Sequence, residues 1–241
     1  MKKLFKILFL LLIVYCIFKV HYCEGQWVKV SNGLHKLPII SLAVSGSNLI
    51  ADVRIQGNNI YLSSNNGVYW NSIYNNIPEG LWVSDIAGNG TSIFAGTENG
   101  LYSTSNNGVN WHLVNFGIPD TPNIGVINVS GNEVITSYMN YDGVTNVFLS
   151  TNNGGNWSAS NIGLPTNVYI TSFGINGNNI FAGTSGFGVY LSTNNGDTWT
   201  QTSLNNRSVW CISISGGNIF VGTDDWLGTG KGGGSRSMHL C

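Results

Sequence analysis

The stretch "LSTNNGDTW", Leu191–Trp199, decides how this chain folds, because it recurs along the sequence with few changes. Three related stretches precede it: "SSNNGVYW" ends at Trp70, "TSNNGVNW" at Trp111 and "STNNGGNW" at Trp157. A fifth tryptophan, Trp27, follows "GQ" and resembles the end of another copy. The five tryptophans are 43, 41, 46 and 42 residues apart, and a period in the low forties indicates repeated supersecondary units.

Each unit contains four short strands, and residues 168–203 show this most clearly. The segments "VYITSFGI", "IFAGT", "VYLST" and "WTQTS" are separated by the Asn/Gly turns "NGNN", "SGFG" and "NNGD". No helical periodicity is present, and charged residues make up only 9% of the chain, whereas exposed helix faces are rich in Glu, Lys and Arg. Four-stranded sheets at this period predict an all-β fold, a β-propeller of four-stranded blades.

The "NNG" turn has a local physical reason. A tight hairpin needs positive φ, which Asn and Gly adopt at little cost. The preceding Ser or Thr hydroxyl and the Asn two residues later can hydrogen-bond the backbone of the turn. The tryptophan begins the fourth strand, and we expect it to be buried between neighbouring sheets, which removes roughly 150–250 Å² of its surface from water.

These turns resemble the Asp-box, or BNR, repeat, whose pattern is Ser-x-Asp-x-Gly-x-Thr-Trp. The resemblance covers nearly all of residues 25–223, and all four copies carry Asn where the pattern has Asp. An amide oxygen can accept the same hydrogen bonds as a carboxylate oxygen, so the fold that the resemblance implies is unaffected. The structural residues it implies are Ser63, Asn65, Gly67, Trp70, Thr104, Asn106, Gly108, Trp111, Ser150, Asn152, Gly154, Trp157, Ser192, Asn194, Gly196 and Trp199.

The two ends of the repeat region complement each other. Residues 27–30 read as the last strand of a blade, and "SVWCISI" (Ser208–Ile214) and "IFVGT" (Ile219–Thr223) read as the first two strands of another. Together they would form a composite closing blade, which with four whole blades gives about five blades and leaves no free sheet edge. We therefore assign residues 26–223 to the propeller.

Residues 224–241 break the pattern. After "VGTDD" the repeat calls for another box, but the chain reads "WLGTGKGGGSRSMHLC", whose glycine run and lack of alternation predict an irregular, disordered tail. One explanation is that the native reading is lost here through truncation or a shifted frame, in which case the complete protein is a larger propeller. A further box downstream of codon 223 in any frame would support this explanation.

Residues 1–25 read as a secretory signal peptide. Three lysines precede an apolar run, Ile7–Phe18, and small residues precede Gln26. The alternative is an uncleaved anchor, but twelve apolar residues fall short of the ~20 that span a bilayer. Cleavage removes four Lys and one Glu, which leaves six basic and ten acidic residues and a net charge near −4. We therefore expect a secreted, cell-surface or periplasmic monomer that has no stable membrane span and does not bind nucleic acid.

Two carboxylates are candidates for catalysis, because glycoside hydrolysis needs two facing carboxyl groups. Asp85 lies in a predicted first strand, near the expected propeller axis, where the other repeats have small or apolar residues. Asp142 lies in a longer loop. The alternative for Asp85 is that it faces a solvated central channel. Sialidase chemistry is disfavoured, because Arg54 lies in the one stretch similar to the sialidase Arg-Ile-Pro, and Gln56 replaces the proline.

Other chemistry has little support in the sequence. Cys211 occupies the same register as Asp85, and we expect a packed thiol there, since no His lies nearby in the motif. The three histidines after residue 25 stand at unrelated positions, and the Gly-rich turns lack the Lys of a phosphate loop. We therefore predict neither a metal site nor a cofactor.

Six residues are candidates for a binding surface. The connections between the second and third strands of the first and third repeats, "ADVRIQGN" and "TSYMNYDGVTN", are irregular, and aromatic residues also lie where loops enter first strands. Aromatic side chains with polar neighbours suit sugar faces or protein anchors. For Trp82 and Trp210 the alternative is packing within the blades. The candidates are Trp82, Arg54, Tyr138, Tyr141, Tyr169 and Trp210.

The resemblance leaves the function open, because the Asp-box repeat occurs in sialidases, xyloglucanase-type glycoside hydrolases, sortilin-like receptors, photosystem II assembly factors and secreted bacterial proteins. We expect an exported, non-catalytic scaffold that binds protein or carbohydrate through its loops. The alternative is a glycoside hydrolase of Asp-box architecture. The two hypotheses differ in whether a carboxylate pair is required.

Overall fold

A computed structural model of the protein describes residues 29–34, 38–53, 60–119, 122–139, 144–224 and 236–240. Strands and turns account for these residues, and no helix occurs among them, as the all-β prediction requires. The described part of the chain therefore contains no helical segment that would cross a membrane. The strands form five antiparallel sheets, which we call the first to fifth blades.

The first four blades have four strands each, in chain order, and the fifth has three. The first two blades contain β1 (Ile39–Ser45), β2 (Asn48–Val53), β3 (Ile60–Ser63), β4 (Asn71–Ser72), β5 (Val83–Gly88), β6 (Ile93–Thr97), β7 (Gly100–Thr104) and β8 (His112–Leu113). The next two contain β9 (Ile124–Ser130), β10 (Glu133–Met139), β11 (Thr145–Ser150), β12 (Ser158–Ala159), β13 (Ile170–Asn176), β14 (Asn179–Thr184), β15 (Gly188–Ser192) and β16 (Thr200–Gln201). The fifth contains β17 (Ser208–Ser215), β18 (Asn218–Asp224) and β19 (Arg236–Leu240).

The Asp-box turns form as their residue types require. The Asn and Gly at the centre of each turn have positive φ, as at Asn195 (53°) and Gly196 (80°). Ser192 Oγ accepts the Gly196 N–H at 2.8 Å and donates to Asn194 Oδ1 at 2.9 Å, and that oxygen also accepts the Thr198 N–H. The other three boxes repeat these bonds, so each turn satisfies its own buried backbone groups.

The tryptophan of each box is buried: Trp70, Trp111, Trp157 and Trp199 are 3–5% exposed. Three of them lie between two blades, as predicted. The Trp111 indole N–H donates to the carbonyl of Ile73, which follows the last strand of the first blade, and Trp157 and Trp199 make the same bond to the blade before them. These three indoles join their blades to the preceding ones through both packing and a hydrogen bond, whereas Trp70 packs on the segment before the first blade and donates to the Val30 carbonyl.

The second and third strands of the second, third and fourth blades are mostly buried, because these blades are covered on both sides. All five residues of β6, "IFAGT", are buried. Separate apolar clusters fill the spaces between consecutive blades, for example the cluster in which Phe94 of the second blade meets Ile124 and Ile127 of the third. The core of the molecule is thus a series of layers between sheets.

The five blades form an arc that does not close among the described residues. The first strands of consecutive blades pack against one another from β1 to β17, but β17 makes no comparable contact with β1. The composite blade that the sequence predicts is not seen among the described residues: Lys29 and Val30 are not in a strand and pair with no strand of the fifth blade, and Trp27 and Val28 lie outside the described residues. A small difference in the angle between blades, repeated at each interface, decides whether five blades complete a circle.

The end of the chain differs from the irregular tail that the sequence predicts. Residues 225–235 and Cys241 lie outside the described residues, but Arg236–Leu240 form β19, which pairs with β18 from Phe220↔Leu240 to Asp224↔Arg236. This strand takes the place of the third strand in the other blades. The unpaired backbone groups along β18 provide a physical reason, because a sheet edge pairs readily with any extended segment.

Candidate binding face

The two ends of the sheets are formed by different turns and loops. One end carries the Asp-box turns and the hairpins between the first and second strands. The opposite end, which we call the loop face, consists of the segments that enter first strands and those that connect second to third strands. The described residues closest to these strand ends are 38, 78–82, 98–99, 119, 122–123, 165–169, 185–187 and 203–207.

Exposed aromatic side chains lie on or beside the loop face. Trp82 and Tyr169 occupy the same place in the second and fourth blades, immediately before β5 and β13, and are 51% and 50% exposed. Trp210, the third residue of β17, is 59% exposed. Trp82 and Trp210 are thus both more exposed than the box tryptophans, which are 3–5% exposed, but Trp210 lies on the last blade, at the position where Thr171 of the fourth blade contacts the next one.

A fourth aromatic residue, Phe187, was not among the candidates from the sequence. It is 44% exposed in the connection between β14 and β15. Ser185 of that connection donates its backbone N–H to the Tyr169 carbonyl at 2.9 Å, which places the two loops side by side. The sequence feature that could have identified Phe187 is an aromatic residue within the turn "SGFG". The corresponding turn of the second blade, "EN", contains no aromatic residue.

A carboxylate accompanies Trp82. Glu98, in the connection between β6 and β7, is exposed, and its Oε1 lies 3.4 Å from the Trp82 backbone nitrogen, which donates to it. An indole face beside a carboxylate offers both an apolar surface and a hydrogen-bond acceptor. This combination is suited to a polyhydroxylated ligand or to a peptide with polar groups.

Asp85 links three blades. Its Oδ1 accepts a hydrogen bond from the Ser41 hydroxyl of the first blade at 2.8 Å and another from the N–H of Ile86, the next residue in the chain, at 2.9 Å. Its Oδ2 accepts the Ile127 N–H of the third blade at 2.9 Å. Burial is the main cause that raises the pKa of the Asp85 carboxyl above its ordinary value, and the hydrogen bonds from Ile127, Ser41 and Ile86 oppose that shift.

Each first strand carries a β-bulge immediately before the position of Asp85. The ladder skips one residue in every first strand, such as Ser84 between Val83 and Asp85. At the interface between the fourth and fifth blades, Ser172 Oγ accepts the Ile212 N–H at 2.9 Å, just as Asp85 accepts that of Ile127. The side chain at this register therefore satisfies a backbone donor of the next blade, which is a structural task.

Several sequence candidates lie elsewhere. Tyr138 was expected in an exposed loop, but it is a residue of β10, 8% exposed and stacked on Phe148 with the ring centroids 5.8 Å apart. The strand pairing continues to Met139, which draws Tyr138 into the core. Cys211 was expected to be packed, but it is exposed. Arg54, Tyr141 and Asp142 lie outside the described residues.

Metal ligands and clefts among the described residues are the remaining features that could form a site. No group of three His, Cys, Asp or Glu side chains that could hold a metal ion occurs in the part of the chain described here. A cleft of about 420 Å³ lies between the Asp-box turns of the third and fourth blades, lined in part by Thr151, Asn156, Ser158 and Asp197. It is polar and lies at the end of the sheets opposite to the loop face.

The fold resembles that of several solved proteins. The extracellular domain of a hybrid two-component system from B. thetaiotaomicron matches with a TM-score of 0.58 and 19% identity over 77% of this chain. A GH74 enzyme from Niastella koreensis matches with a TM-score of 0.60 and 18% identity over 84% of the chain. YCF48 bound to D1 peptide matches with a TM-score of 0.59 and 11% identity over 87% of the chain.

The chain is shorter than these proteins. It spans 26% of the extracellular domain, 30% of the GH74 enzyme and 70% of YCF48. No family model and no curated protein matches the sequence. At these identities the likeness concerns the fold alone, and together with the five stacked sheets it identifies the chain as a β-propeller.

Proposed function

We propose that the chain is an exported, non-catalytic β-propeller scaffold that binds a protein or carbohydrate ligand through its loop face. The observation that carries this proposal is the exposure of aromatic side chains at that face: Trp82, Tyr169, Phe187 and Trp210. Burying an aromatic side chain is favourable, so residues of this size that stay in water at one end of a well-packed fold support a role in binding.

The ligand is extended. The aromatic residues are distributed from the second blade, with Trp82, to the fifth, with Trp210, and Tyr169 and Phe187 lie between them. A single small molecule would contact one such group, whereas a polysaccharide or an extended peptide can contact several in turn. The solved neighbours include both kinds of protein by their printed names: GH74 enzymes, one of them a xyloglucanase, and YCF48 bound to a peptide.

Export is the second part of the proposal. It rests on Lys2, Lys3 and Lys6 before the apolar run Ile7–Phe18 and on the small residues before Gln26. Expression of the full chain in a secreting host tests it. We expect a product that begins at Gln26 outside the cytoplasm, and a product that keeps Met1 within the cell would contradict export.

Binding is tested by presenting the full chain to a glycan array and to a library of extended peptides. The variants Trp82→Ala and Tyr169→Ala should each weaken binding of the ligand found by at least about ten-fold, the size expected for an aromatic anchor. Phe116→Ala is the matched control, because Phe116 is 78% exposed but follows β8 near the Trp157 backbone, away from the loop face. Equal loss with the control variant, or no loss with either aromatic variant, would refute the proposal.

A glycoside hydrolase is the second candidate, and the raised pKa of Asp85 favours it, because a general acid needs such a shift. Against it, the carboxylate of Asp85 is already occupied by two backbone N–H groups and a hydroxyl. A reducing-sugar assay separates the candidates. Under the hydrolase hypothesis Asp85→Asn and Asp142→Ala abolish turnover, whereas under the scaffold hypothesis the wild-type chain releases no sugar and both variants still bind.

A further inference from the structure

The first blade exposes apolar side chains whose counterparts in the later blades are covered. Leu42 is 64% exposed, whereas the equivalent residues Ile86, Ile127 and Phe173 are 2–5% exposed. Ile39 is 45% exposed, and its equivalents are all buried: Val83, Ile124, Ile170 and Val209. We call Ile39, Leu42 and Val44 the leading face of the first blade.

In each later blade the equivalent side chains lie against the preceding blade, and the two surfaces are in close contact. A Cβ atom on Gly174 of the fourth blade would lie 2.8 Å from Ile212 of the fifth, and one on Gly183 would lie 2.6 Å from Val209. Side chains at these two positions would clash with the neighbouring blade. The covering side of the interface therefore requires small residues.

The fifth blade presents the covering side of the same interface, and no blade of the described residues lies against it. By strand register, Ser213 and Gly222 occupy the positions of Gly174 and Gly183. Ser213 is exposed, and of the described residues only Cys211 of the same blade would come within 4 Å of a Cβ atom on Gly222. We call Cys211, Ser213 and Gly222 the trailing face of the fifth blade.

The segment before the first blade and the sheet of the fifth blade also complement each other. The Val30 carbonyl accepts the Trp70 indole N–H at 3.1 Å, the same bond that the Ile73 carbonyl accepts from Trp111. Val30 thus lies where the last strand of a preceding blade ends. The fifth sheet, in turn, has three strands among the described residues instead of four.

Both faces are uncharged. Neither β1 nor β17 contains an Asp, Glu, Lys or Arg residue, so contact between them buries no unpaired charge. Covering Ile39, Leu42 and Val44 is favourable at about 25 cal/mol per Å² of apolar surface removed from water. Among the described residues of one molecule, β17 does not pack on β1 as consecutive first strands do, so no described blade covers either face.

We propose that the leading face of the first blade binds the trailing face of the fifth blade of a second copy of this chain. Leu42 of one copy packs beside Ser213 of the other, and Ile39 packs over Gly222, as Ile212 packs beside Gly174 and Val209 over Gly183 within the chain. Since the two faces differ, the association is head to tail and adds copies in series. This assembly replaces the monomer that the sequence predicts.

Sedimentation velocity on the full chain, in reducing buffer with a non-ionic detergent, tests the proposal. Two variants each block one face: Leu42→Asp blocks the leading face and Ser213→Arg blocks the trailing face. Each residue is exposed, so both variants should fold with a wild-type circular dichroism spectrum. Ile162→Asp and Ser203→Arg are the matched controls, because they introduce the same charges at exposed positions outside the two faces.

The expected result is a wild-type sedimentation coefficient that rises with protein concentration, and single-copy species for each blocking variant alone. An equimolar mixture of the two variants should form a species of two copies and nothing larger, because only one interface remains intact between them. The controls should behave like the wild type. A wild-type chain that stays single at all concentrations, a mixture that does not pair, or a blocking variant that associates like the wild type would overturn the proposal.

Discussion

The carboxylate of Asp85 connects three blades, because it accepts hydrogen bonds from Ser41, Ile86 and Ile127. The sequence places a carboxylate near the axis and suggests catalysis or exposure to a channel. The structure shows it accepting the Ile127 N–H of the third blade and the Ser41 hydroxyl of the first. These partners cannot be read from the letters around Asp85, because they belong to the neighbouring blades.

We therefore predict that Asp85→Ala destabilises the protein by about 1–3 kcal/mol, the cost of leaving a buried N–H donor without its acceptor. Chemical denaturation followed by tryptophan fluorescence measures this loss. Asp197→Ala is the control, since Asp197 is an exposed carboxylate, and it should change the unfolding free energy by less than about 0.5 kcal/mol. Equal effects of the two substitutions would show that Asp85 does not join the blades.

At the scale of the element, the Asp-box turn was predictable in detail because all its interactions are local. The hydroxyl of Ser192, the amide of Asn194 and the backbone of Gly196 and Thr198 lie within seven residues. Local bonds follow from residue type and spacing alone. Tyr138 was misplaced for the opposite reason, because its burial depends on how far β10 pairs with β9 and β11.

The box predicts a difference between two substitutions. Ser192→Ala leaves the buried Gly196 N–H without its acceptor and should cost about 1–3 kcal/mol. Asn194→Asp restores the residue of the Asp-box pattern and keeps an oxygen that accepts the Thr198 N–H, so the unfolding free energy should stay within about 0.5 kcal/mol of the wild type.

Thermal or chemical unfolding of both variants checks this, with Thr193→Ala as the control at an exposed position in the same turn. If Asn194→Asp were as destabilising as Ser192→Ala, the amide nitrogen of Asn194 would be essential, and the likeness of these turns to the Asp-box would not extend to their hydrogen bonds.

At the scale of the whole molecule, the repeat predicted the number and order of sheets but not whether they close. Blade count follows from the period of the tryptophans, whereas closure depends on the angle between blades, which the sequence does not encode in any local pattern. The exposed aromatic residues were only partly predictable as well. Trp82 and Tyr169 precede first strands in the sequence, but their exposure depends on the curvature and the loops around them.

The most direct test of the account concerns the tryptophans that join the blades. Hydrogen exchange of the indole N–H groups, followed by NMR on the ¹⁵N-Trp-labelled chain, reports each one separately. We predict slow exchange at Trp70, Trp111, Trp157 and Trp199, whose N–H groups are bonded to backbone carbonyls of the blade or segment that precedes each of them, and rapid exchange at the exposed Trp82 and Trp210. Rapid exchange at the four box tryptophans, as fast as at Trp82, would show that the indoles do not lie between sheets and would contradict the fold described here.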